Sequence, residues 1–153
     1  MNAHRAGFWM VALAGALVAT GAAPAKDYIK ADRAQQSGYS LAVISEGGKT
    51  VWLGGQTGYV DDNGKSLADD FDGQVRQAFK LMGRTLEKAG GKLSDLVQMT
   101  VFITDVRYGG RLTALRREIL GDNFPGSALI TVTALQNPAA KIEIQGYAVI
   151  GGK

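Results

Sequence analysis

The sequence predicts a single α+β domain of order β-β-α-β-α-β-β, with one sheet and two helices on one of its faces. Three observations carry that prediction. Residues 71–89 and 110–120 place apolar side chains every three or four positions, the spacing of one buried helix face. Residues 96–104 and 141–150 alternate apolar and polar side chains, as a half-buried strand does. Both predicted helices end at glycine, and 153 residues suit one compact domain rather than two.

Residues 1–25 stand apart. Arg5 is their only charge, residues 8–23 are apolar or small except Thr20, and Ala23-Pro24-Ala25 is a small-x-small cleavage site. That is the layout of a secretory signal peptide, and the apolar run is short for a membrane span. The expected domain is therefore 26–153, in a periplasmic or secreted protein with no membrane contact after cleavage. A polar lead over 26–37 comes first. Residues 39–45 and 50–54 then read as a hairpin about Glu46-Gly47-Gly48-Lys49. Gly54-Gly55-Gln56-Thr57-Gly58 breaks the second strand, either as a bulge and turn or as backbone passing close to a ligand or another subunit. Asp61-Asp62-Asn63-Gly64-Lys65 reads as a solvated loop; it lacks the spaced bidentate glutamate of a calcium loop, and no metal is expected.

The first long helix buries Phe71, Val75, Ala78, Phe79, Met82, Leu86 and Ala89, capped by Asp69 or Asp70 and stopped by Gly90-Gly91. In the next strand Val97, Met99, Val101 and Ile103 share a face. The second helix buries Leu112, Leu115 and Ile119 and stops at Gly121, with Arg111, Arg116 and Arg117 on a solvated side. Strands 127–133 and 141–150 follow, joined through Gln136-Asn137-Pro138. Two helices cover one sheet face; the other, with Phe102, Leu129 and Tyr147, is expected to meet another subunit.

The formal net charge of +3 falls by one without Arg5, too mild for a nucleic-acid or anionic-membrane partner. There is no cysteine, and the single histidine, His4, lies in the presumed signal. The remaining chain therefore cannot build a serine–histidine or cysteine–histidine triad, or a zinc site on those ligands. Its chemistry must use carboxylates, hydroxyls, Lys, Arg or backbone groups, and no cofactor is implied. Glu143 stands out: it alternates with Ile142 and Ile144 and so points away from them.

Five segments, in order and spacing, resemble the Rid family of reactive intermediate deaminases, also called YjgF/RidA or L-PSP endoribonucleases, whose fold is chorismate mutase-like. They are Tyr39-Ser40-Leu41-Ala42-Val43, Gly54-Gly55-Gln56-Thr57-Gly58, Gln74-Val75-Arg76-Gln77-Ala78, Thr100-Val101-Phe102-Ile103-Thr104-Asp105 and Lys141-Ile142-Glu143-Ile144-Gln145. The resemblance implies a homotrimer with a barrel-like centre and small-molecule clefts between subunits. It also implies hydrolysis of enamines and imines to ketoacids and ammonia, with Glu143 positioning the attacking water and Tyr39, Gly55 and Gln56 at the substrate.

Three departures from the family pattern bear on the site. Gly38 replaces a proline, and Pro125-Gly126-Ser127-Ala128 stands where the family has Pro-Ala-Arg-Ser, so Ser127 occupies the place of the carboxylate-clamping arginine. An asparagine common on the second helix is Thr113 here. A hydroxyl offers one neutral bond where a guanidinium fork offers two charged ones. Two functional classes follow. The first is a hydrolase whose substrate lacks a carboxylate or has it held by Arg107, Arg111 or Lys141. The second is a trimer that binds a small metabolite without turning it over. The departure favours a binding or altered-substrate role over classical deamination; ribonuclease activity is disfavoured by the missing histidine and basic stripe.

Overall fold

The computed structural model describes residues 26–152; the signal expected over 1–25 lies outside them. Its central strand is β6 (Ile142–Ile150). Antiparallel to β6 on either side run β3 (Lys49–Thr57) and β4 (Leu96–Ile103), and β5 (Gly126–Thr131) adds to β4 in parallel, giving the order β3-β6-β4-β5. The α+β class and a mixed sheet with the two long helices on one face are as the sequence predicts, though a second, two-stranded sheet lies beside it.

Helix α2 (Phe71–Lys88) connects β3 to β4, and α3 (Tyr108–Leu120) connects β4 to β5, the crossover that a parallel pair requires. Asp70 is the cap of α2: its Oδ1 accepts from Gly73 N at 2.8 Å, satisfying one of the free donors of the first turn. Gly90, at φ 85°, and Gly121, at φ 71°, take the left-handed conformation that ends each helix. Both helices lie on one side of the sheet. Val75, Ala78, Phe79, Met82 and Leu86 of α2 and Leu112 and Leu115 of α3 pack on Met99, Val101, Ile103, Ile142 and Ile144. Truncating a fully buried member such as Met82 or Leu86 to alanine costs about 2–5 kcal/mol by transfer and cavity terms.

The opposite face is open. Trp52 is 75% exposed and Tyr147 40%, and the two sit directly across β3 and β6 with ring centroids 4.9 Å apart at 70°. An edge-to-face pair of this kind adds to sheet stability, yet it leaves broad apolar area facing outward.

The N-terminal half of the expected order is corrected. The lead over 26–37 is not loop but β1 (Asp27–Ile29) and α1 (Asp32–Gln36), and the strand after it, β2 (Ala42–Ile44), pairs with β1 rather than β3. The glycines at 47 and 48, φ 64° and 75°, turn the chain out of this small sheet and into the large one. Ser40 fixes the switch: its backbone N donates to Pro125 O at 3.1 Å and its hydroxyl to Phe124 O at 2.7 Å, tying the segment to the start of β5.

Gly54 and Gly55 do not end β3 either. Leu53 pairs with Gly146 and Gln56 with Ile144, so two residues of β3 oppose one of β6 in a bulge. The strand runs on to Thr57, and at Gly58, just beyond it, a Cβ would lie 2.1 Å from Gln74 O; only glycine lets the chain leave β3 against α2. Leu129 also moves. Paired with Val101, it faces the helix layer and not the open face.

Candidate functional site

Glu143 sits on β6 between Thr57 of β3 and Phe102 of β4, on the open face, because its neighbours Ile142 and Ile144 face the core. The bulge at Gly54-Gly55 brings β3 backbone under its carboxylate. A Cβ built on Gly55 would lie 1.8 Å from Glu143 Oε1, so the acid occupies the space that any larger residue would take. The carboxylate is half-buried and has no ion-pair partner among the described residues. Gln56, by contrast, pairs with Ile144, whose side chain faces the core, so Thr57 and not Gln56 lies directly across from the acid; the Gln56 amide makes only a long 3.5 Å contact to Gly54 O. An acid and an exposed bulge backbone are thus grouped on one face.

A second cluster lies on the other face, where α3 crosses the start of β5. A cavity of about 370 Å³ opens there, lined by Tyr39, Thr113, Arg116, Ser127 and Leu129 among others. That volume is within the range of small-molecule pockets, roughly 300–1,000 Å³. Arg116 is the residue that the sequence reading missed. It lies one turn beyond Leu112 and beside Leu115, on the buried stripe of α3, and only 3% of it is exposed. Its Nη1 donates to Ser127 Oγ at 3.0 Å and its Nη2 to Ser37 O at 2.7 Å, while its Nε is buried without a partner. Burial pushes the guanidinium down to about 10, since no nearby acid repays the lost hydration. Gly38 makes the fit possible: it sits at φ 71°, and a Cβ there would be 3.3 Å from Arg116 Nε. Proline, locked near −65°, cannot adopt that conformation.

Of the other cations expected to hold a carboxylate, Arg107 and Arg111 are engaged elsewhere. Arg107 is exposed and held by Asp105, whose carboxyl it brings down to about 2. Arg111 pairs with Asp72 across the two helices. Lys141 contributes its backbone N, which donates to Gln74 Oε1 at 2.7 Å. In the loop over 61–65, Asp61 accepts from Asn63 N and Lys65 N while Asp62 turns to Gln77, Lys80 and Arg84, so the acids do not converge. A larger groove of about 470 Å³ runs along α2, but the basic groups on its walls are paired with Asp62 and Glu118.

The expected site residues therefore form two groups that one chain keeps apart. Ser127 pairs with Met99 and faces the helices; Glu143 pairs with Phe102 and faces away from them. Tyr39 and Ser127 share the α3 cavity, Gly55 and Glu143 share the open face, and Gln56 pairs with the core-facing Ile144 and joins neither group.

Comparison with known proteins places this architecture. The family model described as Endoribonuclease L-PSP matches residues 29–150. The chain belongs to that family, the Rid or YjgF proteins. Among its relatives, a RutC family protein of Aquifex aeolicus is 34% identical over 112 residues, covering 72% of this chain and 87% of that protein. The human 2-iminobutanoate/2-iminopropanoate deaminase is 29% identical over 113 residues, covering 74% of this chain and 80% of the relative. Crystal structures of Rid proteins superpose as well. RidA of an Antarctic Psychrobacter gives a TM-score of 0.62 at 30% identity, covering 73% of this chain and 88% of that one. YyfB of Yersinia pestis gives 0.72 at 23% identity over 82% and 98%, a likeness of fold. For this Rid protein the match runs from the last residue of β1 through β6, so both clusters lie inside the family domain.

Proposed function

We propose that this Rid-family protein assembles as a homotrimer whose small-molecule clefts form between copies. In those clefts it binds or hydrolyses an imine, an enamine or a related metabolite. The observation that carries the reading is the split of the site across the sheet: Ser127 and Tyr39 on the helix side, Glu143 and Gly55 on the open side. Groups on opposite faces of one sheet can act on one ligand only when a neighbouring copy supplies the second set. The exposed Trp52–Tyr147 face offers the apolar area for such packing.

In hydrolysis, water adds to the C=N carbon, its proton passes to Glu143, and the nitrogen leaves as ammonia once reprotonated, giving a C=O product. A carboxylate without an internal cation partner, against the bulge backbone at Gly55, suits that role. Classical deamination of 2-imino acids is the second reading, favoured by the names of the human relative and of its rat counterpart. As part of the same proposal, residues 1–25 act as a cleaved signal and the protein works outside the cytoplasm. Without an arginine at Ser127, the reading prefers a binding or altered-substrate role.

Sedimentation of the mature chain and ammonia release from freshly generated imines test the proposal together. A trimer whose turnover falls about 100-fold or more in Glu143→Ala, the scale of general base catalysis, supports a hydrolase. A trimer that binds imines or their ketone products without releasing ammonia supports the binding role. A monomer overturns the intersubunit site, and an unaffected rate in Glu143→Ala overturns Glu143 as its base.

A further inference from the structure

The α3 cavity contains a group that its surroundings do not account for. Arg116 is a positive charge only 3% exposed, and both of its protein acceptors, Ser127 Oγ and Ser37 O, are neutral. No carboxylate lies within ion-pair distance of it among the described residues, and its Nε has no partner at all. Buried charges are normally paired, because hydration lost on burial must be replaced. Here the missing partner has a space to occupy, the cavity of about 370 Å³ that Arg116 itself lines.

We propose that Arg116, reaching from α3 to β5, binds the carboxylate of this protein's ligand, with the Ser127 and Tyr39 hydroxyls beside it. The inference rests on the intersubunit cleft proposed above and narrows its ligand class to small carboxylates. Two small residues make room for the guanidinium. Gly38, at φ 71°, puts no Cβ against the buried Nε, and Ser127 is short enough to accept from Nη1 rather than displace it. Gly38 and Ser127, two of the positions at which the sequence departs from the family pattern, thus both lie against Arg116. A guanidinium fork matches a carboxylate through two parallel charged bonds, which a point charge such as lysine cannot reproduce.

Calorimetric titration with pyruvate and with pyruvamide, its neutral amide, tests this on the mature chain and on Arg116→Gln and Arg116→Lys. The wild type is expected to prefer pyruvate by about 30-fold or more, the loss typical when one member of a buried charged pair is removed. Arg116→Gln should abolish the preference while leaving pyruvamide binding in place, which shows that the variant still folds and keeps its cavity. Arg116→Lys should recover only part of it. Equal binding of pyruvate and pyruvamide by the wild type, an undiminished preference in Arg116→Gln, or inorganic phosphate binding as tightly as pyruvate would overturn the assignment. The two proposals fail separately. Carboxylate binding that survives without any effect of Glu143→Ala on turnover sinks only the hydrolase. Turnover of neutral imines with no carboxylate preference sinks only Arg116.

Discussion

Gly55 and Glu143 share one volume: a Cβ on the glycine would lie 1.8 Å from the glutamate Oε1 and 2.8 Å from its Cδ. The glycine is thus part of how the acid is placed. Because the obstructed atoms are the far end of a flexible side chain, Gly55→Ala should fold, with stability within about 1 kcal/mol of wild type, as for other exposed substitutions. The carboxylate, however, must swing away. Ligand turnover or binding should fall at least as far as in Glu143→Gln, while urea unfolding barely changes. A fully active Gly55→Ala would show that the carboxylate position in this rotamer is irrelevant.

Gln74 is fully buried and ties α2 to the lead into β6: its amide donates to Leu67 O and Ala139 O, each at 2.8 Å, and its carbonyl accepts from Lys141 N at 2.7 Å. Glu143 is two residues beyond Lys141, so this side chain helps set where β6 begins. Gln74→Leu keeps the bulk and strands three backbone groups. It should cost about 2–5 kcal/mol, since each buried polar group left unpaired costs about 1–3 kcal/mol. Urea denaturation reads the loss directly; a change below about 0.5 kcal/mol, the size of ordinary surface effects, would mean that water replaces the amide.

What the sequence disclosed follows from periodicity. The apolar spacing in α2 and the alternation in β4 and β6 are long enough to fix both element and face. The three residues of β1 and five of α1 are too few to show a period, so their pairing with β2 was hidden. Register was hidden too. The pairing of β4 with β6 shifts between Leu96 and Gln98, so Leu96 rather than Val97 is deeply buried. Likewise, only the parallel pairing with β4 reveals that Leu129 and Ser127 face the helices. Arg116 carried a signal, four residues after Leu112 on the apolar stripe. Its charge, read with Arg111 and Arg117, argued for solvent, and the partners that admit it, Ser37 and Ser127, are remote in sequence.

Asp62 gathers Gln77 Nε2 at 2.9 Å, Lys80 Nζ at 2.6 Å and Arg84 Nη1 and Nη2 at 2.7 and 2.6 Å. The bonds from Arg84 first, then from Gln77 and Lys80, hold its carboxyl well below the usual carboxylate range. A depressed folded pKa means the network stabilises fully above the unfolded value of about 3.9 and loses that contribution as pH falls below it. The stability gap between wild type and Asp62→Asn should therefore be widest near neutrality and close on acidification below about pH 4. It should also shrink in ~1 M salt, because these side chains are solvent-screened. A gap of equal size at pH 3 and pH 7 would assign it to packing instead.

Ser127→Arg asks whether β5 and α3 compete for the same space. Ser127 Oγ already accepts from Arg116 Nη1 at 3.0 Å, so a second guanidinium would meet the first with no acid to separate them. Like charges brought together in a buried site cost several kcal/mol, so Ser127→Arg alone should be destabilised by about 2 kcal/mol or more. Arg116→Ser alone should lose carboxylate binding. In the double variant the charge is simply moved from helix to strand, and most of the lost stability should return. The double-mutant cycle should then show a coupling of about 1 kcal/mol or more, the range for residues in contact. Carboxylate preference should return with it, since one guanidinium again faces the cavity. Additive losses in both stability and binding would mean that the two positions do not serve one anion.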